Sequence, residues 1–94
     1  MRLDRAGREF ATWTFTGVPD DATPPEVWLN DAWHPMTWVG APGPERAARV
    51  LIAGPDADPG NAIVLPARRH TPKVRLVDST EVIVRDTDGS IDVT

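Results

Sequence analysis

The chain has 94 residues, with ten Lys and Arg against fourteen Asp and Glu, a net charge of −4 and no cysteine. That length suits one domain built around one hydrophobic core, so residues 1–94 are read as a single unit. Without cysteine there is no disulfide and no thiolate metal site, and an acidic balance argues against nucleic acid, whose phosphates call for a basic face.

The opening segment Met1–Arg5 is charged at once and carries no apolar stretch, which argues against a leader or an anchor. No run approaches the ~18–20 apolar residues of a membrane helix, so no membrane partner is expected. Ten prolines are spread along the chain, and each removes a donor and obstructs a helical turn, so helix should be scarce. The first strand is read at residues 10–16, where Ala11, Trp13 and Phe15 alternate with threonines and Trp13 and Phe15 are expected to face the core. Residues 18–25, with three prolines and two aspartates, read as a loop.

Three of the four tryptophans fall between Val27 and Trp38. Trp28 and Trp33 lie symmetrically about Asn30-Asp31, so an even-length turn there makes them cross-strand neighbours. Residues 27–29 should pair with 32–34, and the chain should continue to Trp38, at a sheet edge or kinked at Pro35, which has no amide proton. Trp28, Trp33 and Trp38 are assigned to the core, because a chain with two phenylalanines and no tyrosine needs its large side chains inside.

Residues 45–52 are ambiguous, since Pro44 could open a helix and the alanines would tolerate one. Gly54-Pro55 ends that run before a helix of ordinary size is complete, so Arg49–Ala53 is read as strand. After an Asp- and Pro-rich loop, Ala62–Leu65 suits a buried strand closed by Pro66. Strands follow at 74–77, at 81–85 after a turn at 78–80, and at 91–93. Asp88-Gly89 is a hairpin signal that would set Arg85 opposite Asp92 and Val84 opposite Val93, the two valines joining the core. Val82, Ile83 and Val84 are consecutive, so their strand is either covered on both faces or meets another subunit. Six to seven short strands point to an all-β fold, a compact antiparallel β-sandwich or small barrel.

Little here supports catalysis. The only histidines, His34 and His70, fall beside Pro35 and after Arg68-Arg69, and no Gly-x-Ser-x-Gly elbow exposes a serine. The segments 56–61 and 86–90 echo an oxygen-ligand calcium loop but lack its terminal glutamate, so no metal and no cofactor is expected. Arg68-Arg69-His70-Thr71-Pro72-Lys73-Val74-Arg75 is the sole basic cluster, and arginine suits a protein contact because its planar fork pairs carboxylates.

The tryptophan hairpin, the Arg49–Pro55 stretch and the closing segments 74–79, 81–85 and 91–94 together resemble small β-rich virion proteins. The group in question is encoded beside the head–tail connector and tail genes of long-tailed actinobacterial phages. The resemblance implies a non-enzymatic structural protein of the virion, made in the host cytoplasm. It would be repeated as a homo-oligomer or ring in the capsid, connector or tail, with other virion proteins as partners. It carries no functional residue to a particular position. From the residues themselves, the contact is expected on the outer face of the Val74 to Arg85 hairpin, with Arg68, Arg69, Lys73, Arg75, Leu76 and Ile83. The alternative is a carbohydrate-binding β-sandwich module using exposed tryptophans.

Overall fold

The computed structural model describes residues 1–18, 22–78, 81–86 and 89–94, with 77–78 and 81–86 described through their backbone. The fold is all-β, and the described residues contain no helix. Eleven strands are described: β1 (Arg2–Leu3), β2 (Arg8–Thr16), β3 (Glu26–Leu29), β4 (Ala32–Pro35), β5 (Thr37–Val39), β6 (Glu45–Ala53), β7 (Ile63–Val64), β8 (Arg69–His70), β9 (Lys73–Asp78), β10 (Glu81–Asp86) and β11 (Ile91–Val93). They exceed the six or seven expected because β1 and β8 are two-residue ladders, too short to show a period, and the stretch continuing to Trp38 is split into β4 and β5.

β2 and β6 form the longest ladder, antiparallel from Arg8↔Ala53 to Thr16↔Glu45. The ambiguous residues 45–52 are therefore strand throughout. Ala48, Val50 and Ile52 alternate into the core opposite Trp13, Ala11 and Glu9, an arrangement a helix would break. On the far edge of β6, β5 pairs antiparallel and β7 pairs parallel. A second sheet has the order β10-β9-β3-β4, and a third the order β1-β11-β8.

Asn30 (φ 50°) and Asp31 (φ 63°) both occupy the left-handed region, as a type I′ turn requires, and the hairpin registers Trp28 opposite Trp33. The expected continuation to Trp38 crosses between sheets instead. β4 is an edge strand ending at Pro35, the buried Met36 sends its amide to the Pro25 carbonyl at 3.0 Å, and Thr37 begins β5 in the β2–β6 sheet.

The Asp88-Gly89 hairpin is not the arrangement found. β10 pairs with β9, which sets Arg85 opposite Val74, whereas β11 lies between β1 and β8 with Asp92 opposite Arg2 and Arg69. Ile91 and Val93 are 2% and 5% exposed there, alongside the fully buried Leu3, so β11 gains more burial than a position beside β10 would supply. Asp88 itself lies outside the described residues. β10 stands at the edge of its sheet, so the Val82-Ile83-Val84 segment is not central. The side chains of Val82, Ile83 and Val84 lie outside the described residues.

One apolar cluster takes residues from all three sheets, including Leu3, Val27, Leu29, Ile52, Val74 and Val93. Of the aromatic residues expected in the core, only the Trp28–Trp33 pair lies elsewhere. Trp13, Phe15 and Trp38 are half-buried and pack against this cluster. Trp28 is half-buried beside fully buried Val27 and Leu29, so strand alternation sets it, with its partner Trp33, on the opposite face of the sheet. Aliphatic side chains and Met36 make up the buried cluster, and the indole pair lies outside it.

Candidate contact surfaces

The outer face of the β4-β3-β9 segment brings together Glu26, Trp28, Trp33, Lys73 and Arg75. Glu26 is in register with Arg75, and Trp28 with Lys73. The two indoles meet edge to face, with centroids 5.4 Å apart at 66°. Arg75 donates from Nε (3.1 Å) and Nη2 (2.6 Å) to Glu26 Oε1, and its guanidinium carbon lies 4.2 Å from the Trp33 ring centroid. Its charge is therefore used within the sheet, by a carboxylate and a ring face, before any partner arrives.

The other expected contact residues divide between surfaces. Arg68 and Arg69 are exposed and line a cleft of about 120 Å³ with Trp28, Asn30, Asp31 and Thr71, so the basic cluster does meet the turn of the tryptophan hairpin. Arg69 donates from Nε to Asp92 Oδ1 at 2.8 Å. Lys73 is exposed on the Trp28 face, while Leu76 is half-buried and alternates with Arg75 toward the Val74 side. Ile83 is in register with Leu76, and its side chain lies outside the described residues.

The Arg69 hydrogen bond, reinforced by the charges of Arg69 and Arg2, holds the Asp92 carboxyl below its ordinary value of 3.8. Because the folded-state value is depressed, the stabilisation is present above the ordinary aspartate range and is lost as pH falls through the folded value. Carboxyl-carbon NMR titration should find Asp92 ionising below the ordinary aspartate value, and Arg69→Ala should return it toward that value. An unmoved titration in that variant would remove the ion pair from the account.

Both histidines are engaged by backbone: His34 Nε2 lies 3.1 Å from the Leu29 carbonyl, and the buried His70 Nε2 lies 2.9 Å from that of Pro66. In the 54–61 loop, Asp56 pairs with Arg5 at 2.6 Å and Asp58 Oδ1 accepts from the Gly60 amide. The tryptophan faces are also partly taken. Arg46 lies 4.4 Å over Trp38, whose Nε1 donates to the Ala22 carbonyl, as Arg75 lies over Trp33. A sugar platform needs open ring faces, so this arrangement favours contacts of another kind.

The surface that sequence reading passed over is the outer face of the β2-β6-β5 sheet. Phe10, Val39 and Val64 are 49%, 39% and 42% exposed, and they register opposite Leu51, Ala47 and Ala53 of β6, all on the face away from Ala48, Val50 and Ile52. Arg49 lies among them with its guanidinium carbon 3.9 Å from the Phe10 ring centroid. The signal available in the sequence was Phe10 itself, which is out of phase with Ala11, Trp13 and Phe15.

Compared with known protein families, curated proteins and solved structures, the chain gives no match.

Proposed function

We propose that the protein is a non-enzymatic structural component of a phage particle, in the capsid, head–tail connector or tail, acting through contacts with other proteins. On this reading its three sheets form a small sandwich that serves as a scaffold for those contacts. The observation that carries the contact reading is the exposed apolar face of Phe10, Val39 and Val64, three of the four large hydrophobic side chains exposed among the described residues. Gathering them on one sheet face has a cost in water that a partner surface would offset. The placement in a phage particle rests on the resemblance of most of the chain, in layout and composition, to small β-rich virion proteins.

Sedimentation of the protein alone and mixed with candidate neighbouring virion proteins tests this reading. A homo-oligomer or a mixed complex is expected, and Phe10→Asp should weaken it at unchanged thermal stability. A monomer that joins none of the neighbours would overturn the contact reading.

A further inference from the structure

The ladder on one edge of β6 has a gap. β5 covers residues 47–49 and β7 covers 52–53, so Val50 and Leu51 have no strand beside them on that edge. The cause is local. Continuing the β5 register would bring Met36 and Pro35 alongside, but the Met36 amide is bonded to Pro25 and proline has no amide to give. Successive residues of a strand aim their N–H and C=O to opposite edges, so one of Val50 and Leu51 directs both groups into the gap.

A cavity of about 450 Å³ opens over this gap, lined by Phe10, His34, Thr37, Arg49, Asn61 and Ile63 together with the two β6 residues. That volume lies within the range of small-ligand sites. Its lining contains one fixed cation and no carboxylate. The Arg49 guanidinium lies over the Phe10 ring, and among the described residues no acidic group pairs with it, unlike Arg5, Arg69 and Arg75. A cation–π contact holds the guanidinium near the ring, and its N–H donors can still pair with a carboxylate. A single positive charge matches a carboxylate better than a phosphate dianion.

We infer that this slot binds the free carboxyl end of a partner polypeptide whose last side chain is apolar. The carboxylate pairs with Arg49, the side chain lies against Phe10 and Ile63, and the last peptide group uses the unpaired backbone of β6. β5 and β7 close the gap at both ends, so a strand cannot lie along it, whereas a chain end can approach end on. The inference deepens the protein-contact reading and rests on it for the polypeptide nature of the ligand.

The probe is N-acetyl-L-phenylalanine, followed through the amide signals of Val50, Leu51 and Asn61 in the labelled protein. A saturable shift with a dissociation constant on the order of 1 mM is expected for a ligand of this size. N-acetyl-L-phenylalaninamide, which lacks the charge, should bind roughly tenfold more weakly, and Arg49→Gln should lose the same factor for the acid only. Arg49 is exposed, and an unchanged melting curve for the variant confirms that folding is not the cause. No shift at those amides, or equal binding of acid and amide, would overturn the inference. Assembly that survives Arg49→Gln undiminished would overturn the slot as a partner site and leave the contact reading standing. Binding of the acid by a protein that joins no virion neighbour would do the reverse.

Discussion

Gly54→Ala should be among the most damaging single changes in the chain, with a loss of about 2–4 kcal/mol and a melting temperature lower by roughly 10–20 °C. A Cβ at this position would lie 2.3 Å from the Arg5 carbonyl oxygen, 2.5 Å from its carbon and 2.6 Å from the Arg5 Cα. These are backbone atoms, so no side-chain rotation relieves the clash. Nor is the turn free to withdraw. The Gly54 amide is bonded to the Gly7 carbonyl at 2.9 Å and the Asp56 amide to that of Arg5 at 2.8 Å, while Gly7 N donates to Asp4 O within the turn. The penalty is one of space, not of backbone conformation, so Gly54→Ser should be as harmful as alanine. Thermal and urea denaturation measure it, and an unchanged midpoint would show that the 4–7 turn gives way at little cost.

Ile52→Ala should cost about 3–4 kcal/mol, in the range of fully buried aliphatic truncations. Ile52 is 0% exposed and paired on both edges, with Glu9 of β2 and Ile63 of β7, so little collapse can fill the void. Trp28→Ala removes a much larger side chain, yet the half-buried indole should cost only about 1–2 kcal/mol, mostly its contact with Trp33. Urea unfolding of the two variants should therefore rank them against their size. The reverse order would return the tryptophan pair to the core.

That ranking marks where the sequence is legible and where it is not. Elements with their own period could be read directly: residues 10–16 and the β9–β10 pair announce themselves by alternation or by a short turn. The Trp28–Trp33 register followed from symmetry about two turn residues. Which face of that hairpin turns inward did not follow, because Val27 and Leu29 offer a second apolar face and local pattern cannot weigh one against the other. The apolar cluster decides it, and that cluster takes residues from β6, β9 and β11.

Distant pairing was hidden for the same reason. Asp88-Gly89 gives a self-consistent local hairpin, and only the combination of β1, β8 and the Arg69–Asp92 ion pair outbids it. The contact surfaces show both outcomes. Arg68 and Arg69 stood out as a cluster and do approach the tryptophan hairpin. Arg49 carried no such mark, because its interest comes from Phe10 across the ladder and from a proline fourteen residues upstream that interrupts a sheet.

The parallel pairing of β1 with β11 joins Arg2 to Asp92 and Leu3 to Val93. β1 thus has no strand beside it until β11, at the far end of this sequence, has been made. Leu3, fully buried in the finished fold, stays in water for that whole interval. Contacts so distant in sequence slow folding. The third sheet should therefore form only once β11 has been made, and a chain cut before Ile91 should leave β1 without its strand partner.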